Sequence, residues 1–458
     1  MAKEEYDLLI IGAGAAGSSA VTTIAKQGKR VALVERNLIG GTCLNYGCDP
    51  TKTLLHIAHL LYQSHHANRY GLRIPYATYD WKEIQERVQQ VILQLRGGTV
   101  EEAQAQFERQ GVTFLHGEAT FTSPNELLID GQYCIAKQII IATGCETIVP
   151  PIKGLKEAGF ITNVQAVALP ALPPKMAIIG GGSIGIEFAQ MFHRFGVDVT
   201  VLERGSSILD KEDRELATAL CKLLTDEGIR LETDTEIKQV QLDGASKKLT
   251  LRCDERSEEE LVVDEILLAT GRRPSLKTLR LEAAGVQTNE KGVMVDDTLR
   301  TSTPNIWAAG DIASKYQFTH VASQQGQLAA HNASAREPQS FDDRVIPWVT
   351  FTSPALAHLG KTEEQLQEET LGYRIARLSL RENERAIMMG ETAGFVKLLV
   401  DTEDRMLGVH ILASDGDNMI APFVLAMQAN IPVSTIASTM LPYPTLSEVV
   451  SQVANKLY

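Results

Sequence analysis

Residues 6–35 read YDLLIIGAGAAGSSAVTTIAKQGKRVALVE, and this stretch decides the fold. An apolar run ending at Ile11 predicts a buried strand, which is followed by a glycine-rich turn from Gly12 to Gly17 and an alanine-rich helix. A second apolar strand ends at Glu35. Glycines allow a backbone to approach a pyrophosphate at a helix N-terminus, and the acid is placed to bind ribose hydroxyls. The stretch therefore predicts a dinucleotide-binding βαβ unit.

Residues 176–203, MAIIGGGSIGIEFAQMFHRFGVDVTVLE, repeat the same arrangement. The turn begins at Gly180 and the second strand ends at Glu203, so that the acid follows the first glycine by 23 positions in both units. One glycine motif alone is a weak signal, whereas two complete units with equal spacing are a strong one. Two dinucleotides, one held permanently and one exchanging, imply a relay of hydride.

Glu203, the acid of the second unit, indicates whether the exchanging nucleotide is NADH or NADPH. A carboxylate at Glu203 accepts hydrogen bonds from a free 2′-hydroxyl and repels a 2′-phosphate, which favours NADH. Arg204 follows immediately and is able to pair with a phosphate, so NADPH stays possible.

Length and charge exclude several classes of protein. A chain of 458 residues is long enough for two or three domains. Its 44 Lys plus Arg against 57 Asp plus Glu give a net charge of −13, and it has no long basic block, so nucleic acid is not an expected partner. Neither a signal-peptide pattern nor an apolar run of about 20 residues is present, which predicts a cytoplasmic protein without a membrane span.

Six cysteines are too few for a disulfide scaffold in a chain of this length, and only Cys43 and Cys48 are close in sequence. A close pair in a reducing compartment is typical of a catalytic or metal-binding site, although a structural disulfide is the alternative. The other four are interpreted as small buried hydrophobic residues. These are Cys134, Cys145, Cys221 and Cys253.

The cysteine pair lies in residues 40–52, GGTCLNYGCDPTK, which open a helix. Cysteines five positions apart on an ideal helix lie at least ~7.5 Å apart by axial rise, beyond the Cα separation of about 7 Å that a disulfide tolerates. We therefore expect a distorted backbone, which Gly47 permits. The helix N-terminus and Lys52 both favour a thiolate at Cys48, whereas Asp49 opposes it, and the net shift stays open.

Four histidines follow on this helix and just beyond it, at positions 56, 59, 65 and 66. A metal cluster is the alternative to a solvated or interfacial helix face, but the spacing lacks an accompanying cysteine or carboxylate pattern. No resident metal site is predicted.

With both units and the cysteine pair, the chain resembles the pyridine-nucleotide disulfide oxidoreductases, which include dihydrolipoamide dehydrogenase, glutathione reductase and mercuric reductase. Residues 139–144 (IIIATG) and 266–274 (ILLATGRRP) are similar to the two Ala-Thr-Gly crossings of the family, and residues 306–311 (IWAAGD) to its second FAD motif. The resemblance implies an α/β fold with two Rossmann-like dinucleotide-binding domains and a C-terminal α+β dimerisation domain. The implied limits are 1–150 with 271–345 for the FAD-binding domain, 151–270 for the NAD(P)-binding domain and 346–458 for the dimerisation domain.

The same resemblance implies the cofactor contacts. One tightly bound FAD per subunit is expected to contact Gly12, Gly14, Gly17, Glu35, Arg36, Gly41, Thr42, Lys52, Thr143, Gly144, Gly310, Asp311, His320 and Ala322. The nicotinamide nucleotide is expected to contact Gly180, Gly182, Ile184, Gly185, Glu187, Glu203 and Gly271. In this interpretation Lys52 and Glu187 form the ion pair beside the flavin, Cys48 is the thiolate facing the flavin, and Cys43 is the thiol that meets the acceptor.

One segment departs from the family pattern. Where dithiol and disulfide members carry His-Pro-Thr-x-x-Glu, contributed by the partner subunit, residues 443–448 read YPTLSE. An unperturbed phenol titrates near 10 and an imidazole near 6.5, a gap of ~5 kcal/mol in proton affinity, so Tyr443 is poorly suited to proton transfer at neutral pH. Mercuric reductases resemble the chain at this point, yet they end in a cysteine pair, and no cysteine follows Cys253 here.

The leading hypothesis is a homodimeric, mercuric-reductase-like NAD(P)H:FAD disulfide oxidoreductase. Its acceptor, a metal ion or a disulfide, is expected to meet Cys43, Cys48, Tyr443 and Glu448, with the partner subunit's C-terminus completing the site. The alternatives are a dihydrolipoamide dehydrogenase, and a redox-sensing or metal-sequestering flavoprotein.

Overall fold

The structure is a computed structural model that describes residues 4–253 and 258–458. The side chain of Cys253 lies outside the described part, so its interpretation as a buried residue is not examined by the structure. Among the described residues, no helix combines the length and the apolar character needed to cross a membrane.

The N-terminal part forms a seven-stranded sheet in the order β3-β2-β1-β6-β5-β4, with a later strand, β18 (Ile306–Ala308), also pairing with β6. Strands β1, β2, β3, β6 and β18 run parallel, and their apolar runs are buried because helices cover them. The elements are β1 (Glu4–Ile11), α1 (Ala15–Ile24), β2 (Val31–Glu35), α2 (Gly41–Tyr46), α3 (Cys48–His65), α4 (Trp81–Arg96), α5 (Val100–Arg109), β3 (Val112–His116), β4 (Ala119–Ser123), β5 (Glu126–Ile129), β6 (Gln132–Ile141) and β7 (Cys145–Thr147).

The second unit forms a parallel four-stranded sheet in the order β10-β9-β8-β14 and a three-stranded antiparallel sheet, β11-β12-β13. Its elements are α6 (Leu155–Ala158), α7 (Asn163–Ala166), β8 (Lys175–Ile179), α8 (Ser183–Arg194), β9 (Asp198–Leu202), α9 (Arg214–Glu227), β10 (Arg230–Glu232), β11 (Thr235–Asp243), β12 (Ser246–Cys253), β13 (Glu259–Val263) and β14 (Glu265–Leu268). Both predicted βαβ units are therefore present.

The chain then returns to the first sheet before it forms a C-terminal antiparallel sheet, β19-β20-β23-β22-β21. The returning elements are β15 (Arg272–Pro274), β16 (Thr288–Asn289), β17 (Gly292–Val293), β18 (Ile306–Ala308) and α10 (Thr319–Asn332). The C-terminal elements are β19 (Pro347–Thr350), β20 (Ala355–Gly360), α11 (Glu363–Glu368), β21 (Arg374–Ser379), α12 (Glu384–Met389), β22 (Phe395–Val400), β23 (Met406–Ala413), α13 (Gly416–Met419), α14 (Ala421–Gln428), α15 (Val433–Ala437) and α16 (Val449–Asn455). The expected α/β fold class is confirmed, and the domain limits stay a prediction.

A row of polar side chains crosses the C-terminal sheet in one register and contacts the second unit. Its members are Trp348, His358, His410, Lys397 and Arg377. The indole of Trp348 donates to Glu212 at 2.8 Å, and the ammonium of Lys397, 1% exposed, donates to Asp213 at 2.8 Å. Because these acids precede α9, the row joins the C-terminal sheet to the second βαβ unit.

Candidate active site

A cavity of about 910 Å³ lies where the carboxyl end of β1 meets α2, α3 and the N-terminus of α10. Most residues predicted to contact FAD line it, together with Cys43 and Cys48. The lining members of that set are Gly12, Gly14, Glu35, Arg36, Gly41, Thr42, Lys52, Thr143, Gly144, Gly310, Asp311, His320 and Ala322. Gly17 instead packs behind the turn, where an added Cβ would lie 1.8 Å from the carbonyl oxygen of Gly12.

The glycine turn of the first unit has the shape that a dinucleotide requires. Gly12 has a φ of +105°, and an added Cβ would lie 2.4 Å from the carbonyl oxygen of Ala142, so a larger residue would distort the turn. The carboxylate of Glu35 accepts the N–H groups of Ala13 and Asn37, both at 2.8 Å. A turn of glycine and alanine at the start of α1, with an acid beside it, fits the pyrophosphate and ribose of FAD.

The second unit repeats this geometry around a separate surface. Gly180 has a φ of +111°, and its added Cβ would lie 2.4 Å from the carbonyl oxygen of Ala269. The carboxylate of Glu203 accepts the N–H groups of Gly181 at 2.7 Å and Gly205 at 2.6 Å. The second turn therefore fits a dinucleotide in the same way as the first.

The predicted nucleotide contacts divide between two places. Ile184 and Glu187, on α8, line the cavity beside the cysteine pair. The other predicted contacts are not among its lining residues, and these are Gly180, Gly182, Gly185, Glu203 and Gly271. Helix α8 thus connects the glycine turn of the second unit with the cavity.

The cysteine pair is brought together by a break between two helices. Gly47 ends α2 and precedes α3, with φ −127° and ψ −115°, as the spacing of the cysteines predicts. The hydroxyl oxygen of Thr319, at the N-terminus of α10, lies 3.2 Å from Cys43 Sγ and 3.3 Å from Cys48 Sγ. One hydroxyl thus bridges both sulfur atoms.

The two thiols differ in acidity. Hydrogen bonding from Cys43 lowers the pKa of Cys48 to about 6, and the Thr319 hydroxyl and the Lys52 charge act in the same direction against burial. Hydrogen bonding to Cys48, followed by burial, raises the pKa of Cys43 far above its usual range. At neutral pH Cys48 is therefore the thiolate of a reduced pair and Cys43 keeps its proton.

An ion pair lies beside the thiols. Lys52 Nζ is 2.6 Å from Glu187 Oε2, and the other carboxylate oxygen of Glu187 accepts the N–H of Phe351 at 2.8 Å. The ammonium also lies 4.6 Å from the centre of the Phe351 ring. Helix α3, helix α8 and the C-terminal sheet therefore meet at this pair.

For two residues of the cavity wall, the sequence interpretation was incomplete or wrong. Thr319 is absent from the predicted set, and its signal was a hydroxyl at the start of the helix that follows the second FAD motif. The interpretation of Cys145 as a buried hydrophobic residue is wrong, because it lines the cavity and its thiol donates to the carbonyl oxygen of Asp311 at 3.2 Å. Burial raises the pKa of Cys145 to about 12, which leaves it as an unreactive thiol. Cys134 is fully buried and Cys221 packs against the core.

The four histidines after the cysteine pair do not converge. His59 contacts Ser353 at 3.0 Å, whereas His65 and His66 bond to separate backbone carbonyls. Among the described residues, no group of three or more His, Cys, Asp or Glu side chains could hold a metal ion. Nothing in this arrangement supports the alternative of a metal cluster on α3.

Tyr443 and Glu448 lie outside the cavity within one subunit. The phenol is 69% exposed, and the carboxylate of Glu448 accepts the N–H of Thr445 at 3.0 Å, so this acid caps its own turn. A single subunit therefore does not bring these two residues to the thiols.

Comparison with known proteins agrees with this geometry. The sequence profile for pyridine nucleotide-disulphide oxidoreductases matches residues 6–326, and the profile for the dimerisation domain of these enzymes matches residues 346–454. A mercuric reductase of Staphylococcus aureus is 34% identical over 97% of this chain and 81% of its own length. A dihydrolipoyl dehydrogenase of Thermus scotoductus is 34% identical over 99% of this chain and 97% of its own length.

Solved structures show the same similarity. The HOCl-induced flavoprotein disulfide reductase RclA from Escherichia coli superposes with a TM-score of 0.88, with 32% identity over 99% of this chain and 100% of that one. One family accounts for the two glycine turns, the paired thiols and these matches along the chain. The chain belongs to the pyridine nucleotide-disulphide oxidoreductases, FAD-dependent enzymes that use NAD(P)H.

Proposed function

We propose that this protein oxidises NADH in preference to NADPH and delivers the electrons, through FAD, to Cys43 and Cys48 and then to a metal-ion or disulfide acceptor. The observation that carries the proposal is the convergence of both sulfur atoms on Thr319 at the wall of the cavity that the first glycine turn lines. When bound, FAD supplies a group that accepts hydride and passes two electrons onward.

The chain's own residues would manage charge and protons at the thiols. Opening the disulfide takes up two electrons and one proton, which leaves Cys48 as the thiolate and Cys43 as the thiol. The ammonium of Lys52 stabilises the thiolate, and Glu187 holds that ammonium in place. With Hg(II) as acceptor, the pair closes again and the overall change is NADH plus Hg(II) to NAD⁺, H⁺ and Hg(0).

A soft metal ion is the acceptor that we favour. Thiolates are preferred ligands of soft ions, and Tyr443 replaces the imidazole that would serve a dithiol substrate. Four of the similar proteins are mercuric reductases, and two similar structures are Cu(II) complexes of RclA. We further propose that the partner subunit's Tyr443 and the partner subunit's Glu448 complete the acceptor site in a homodimer, which agrees with the match to a dimerisation domain.

The preference for NADH rests on Glu203. Its carboxylate is held by two backbone N–H groups at the end of β9, where a 2′-phosphate would meet its negative charge. Arg204 stands next to it as the residue able to offset that repulsion. We expect Glu203→Gln to bring kcat/KM for NADPH closer to that for NADH, and an unchanged ratio of the two values would contradict this role.

The first experiment is an anaerobic titration of the purified FAD-loaded protein with NADH. A two-electron-reduced enzyme should show long-wavelength absorption that arises from a thiolate beside the flavin. Cys48→Ser should abolish this band. Cys43→Ser, the matched control, keeps a thiolate at position 48 but has no disulfide to reduce, so it should show the band before NADH is added and lose it when NADH reduces the flavin. A band that survives Cys48→Ser would refute the assignment. Turnover with Hg(II), Cu(II) and disulfides, measured with both nucleotides, then identifies the acceptor class.

Dihydrolipoamide dehydrogenase is the second candidate, because a dihydrolipoyl dehydrogenase matches nearly the full chain. This activity predicts rapid NAD-dependent oxidation of dihydrolipoamide despite Tyr443, and a Tyr443→His variant that gains little. If Tyr443 is instead the obstacle, Tyr443→His should raise that rate by orders of magnitude. Slow turnover by the unaltered protein, accelerated by the imidazole, would exclude the second candidate.

A further inference from the structure

Asp49 is a charged residue at the thiol pair for which the mechanism above has no use. It directly follows Cys48 in the first turn of α3, is half-buried and lines the same cavity as both thiols. Thr53 bonds to its backbone carbonyl at 2.8 Å, but within the described ranges its carboxylate has no hydrogen-bond or ion-pair partner. The negative charge of Asp49 therefore faces the cavity unpaired.

Lys52 offsets this carboxylate only in part: burial raises the pKa of Asp49, and the charge of Lys52 acts against that rise without forming an ion pair with it. Lys52 is engaged at 2.6 Å by Glu187, whose side chain is 6% exposed, and it also packs on the ring of Phe351. His320 adds no positive charge at neutral pH, because burial lowers its pKa. Within the described part of the chain, Asp49 is thus a carboxylate beside the sulfur atoms that has no ion-pair or hydrogen-bond partner and is only partly offset by Lys52.

Acidic side chains also outnumber cationic ones along the rest of the cavity wall. Three cationic side chains line it, of which Arg36 lies 2.8 Å from Glu118 and Arg272 lies 3.7 Å from Asp311. Seven carboxylates line it, and these are Glu35, Asp49, Glu118, Glu146, Glu187, Asp311 and Asp417. Glu35 and Asp311 belong to the part of the wall assigned to FAD, which is itself anionic, and burial raises the pKa of Asp311 and Asp417. Asp49, which adjoins Cys48, is therefore the carboxylate that bears on the acceptor.

From this arrangement we infer that Asp49 determines the charge class of the acceptor: its carboxylate makes the space beside Cys43 and Cys48 favour cationic acceptors over anionic ones. The inference rests on the proposed function, since the thiol pair must be the group that meets the acceptor. It deepens that function, because a metal dication belongs to the favoured class and an anionic disulfide such as glutathione disulfide does not.

The competing explanation is that Asp49 only stabilises the helix. An acid in the first turn interacts favourably with the helix dipole, and this role needs no acceptor. The two roles make different predictions, because helix stabilisation does not distinguish between reagents of opposite charge.

The test uses three methanethiosulfonate reagents that differ in charge: the cationic trimethylammonium-ethyl, the anionic sulfonato-ethyl and the neutral methyl compound. In each case the thiolate attacks the reagent sulfur, a mixed disulfide forms and methanesulfinate leaves. Because the second thiol of the pair displaces the reagent thiol and closes the Cys43–Cys48 disulfide, the rate is followed as the loss of protein thiol. The FAD-loaded protein is reduced with dithiothreitol, desalted anaerobically and assayed near pH 8. The measured quantity is the ratio of the cationic to the anionic second-order rate constant.

A change in thiolate content cancels in this ratio, because it alters both rate constants equally. One unit charge beside the reacting sulfur changes the rate of an ionic reagent by about threefold at moderate salt, so the ratio should fall by about tenfold in Asp49→Asn. Asp49→Glu keeps the charge and should keep the ratio. Glu86→Gln removes one charge from an exposed, loosely paired site on α4 and is the matched control, for which no change is expected.

A second measurement needs no variant. Raising the salt concentration from about 0.02 M to about 0.5 M should move the ratio of the unaltered protein towards that of a small free thiol, because the Debye length shortens. A ratio that is insensitive to both Asp49→Asn and salt would overturn the inference, even if Asp49→Asn lowers thermal stability. If NADH does not reduce the same cysteines while the ratio behaves as expected after dithiothreitol, the proposed function is refuted, and the inference about the acceptor with it, although the charge effect of Asp49 on the thiols is still observed.

Discussion

The hydroxyl of Thr319 should set how much of Cys48 is thiolate at a given pH. It is within 3.3 Å of both sulfur atoms, and it acts with the hydrogen bond from Cys43 and the charge of Lys52 to lower the pKa of Cys48 to about 6. A group with a depressed pKa is charged above that pKa and loses its charge as the pH falls through it. The thiolate of the reduced enzyme should therefore disappear with a midpoint near pH 6.

Thr319→Val removes this hydroxyl and keeps a similar volume. A hydrogen bond to a charged group contributes about 1.5–3 kcal/mol, and one pH unit corresponds to about 1.4 kcal/mol. Because Cys43 and Lys52 still act on the thiolate, we take the lower end of this range. The expected midpoint in Thr319→Val is about one pH unit higher, near pH 7.

The measurement is the long-wavelength absorbance of the NADH-reduced protein between about pH 4.5 and 9, compared at equal flavin content. Thr319→Ser retains the hydroxyl and should titrate like the unaltered protein, which separates the hydrogen bond from packing. Coincident midpoints for Thr319→Val and the unaltered protein, within about 0.3 pH unit, would refute the assigned role, since such a difference is worth only ~0.4 kcal/mol.

Two further changes test the two glycine turns and the join between the C-terminal sheet and the second unit. Each added Cβ would lie 2.4 Å from a backbone oxygen, so an alanine should distort either turn. Gly12→Ala should therefore abolish FAD retention, as measured by flavin absorbance. Gly180→Ala should leave FAD bound and raise KM for NADH more than tenfold, as measured by steady-state kinetics. Lys397→Met should lower the free energy of unfolding by about 3–5 kcal/mol, because the buried Asp213 then loses its ion-pair partner. Lys248→Met, at a partly exposed ion pair, is the control and should change this free energy by less than about 1 kcal/mol. Urea denaturation of the FAD-loaded proteins measures both values.

The two βαβ units could be predicted from sequence because their signals are local. The glycine turns, the apolar strands and the terminal acids lie within one stretch each. Strand β2 (Val31–Glu35) ends at the predicted acid, and β9 (Asp198–Leu202) ends one residue before it. The break at Gly47 was predictable from distance alone, since an unbroken helix cannot bring Cys43 and Cys48 together.

Contacts between segments far apart in the chain were harder to predict from the sequence. Lys52 and Glu187 are 135 positions apart, and only the family resemblance paired them. Thr319 is 271 positions from Cys48, and no local pattern assigns its hydroxyl to the thiols. The error on Cys145 has the same origin, because composition predicts average burial and cannot tell a core position from a cavity wall.

The sequence features that depart from the expected pattern lie on the acceptor side. The cofactor side has both glycine turns, both acids and the Lys52–Glu187 pair in the arrangement that the resemblance implies. The proposed acceptor side has the partner subunit's Tyr443 in place of an imidazole, and beside the thiols it has the carboxylate of Asp49, which has no ion-pair partner among the described residues. A phenol is poorly suited to the proton exchange that a dithiol requires, and a carboxylate repels an anionic substrate, whereas neither hinders a metal cation that thiolates bind. The choice of acceptor by this protein should therefore depend on the charge and softness of the acceptor. A series of acceptors graded in these two properties is a more decisive test than a set chosen from the substrates that name the similar proteins.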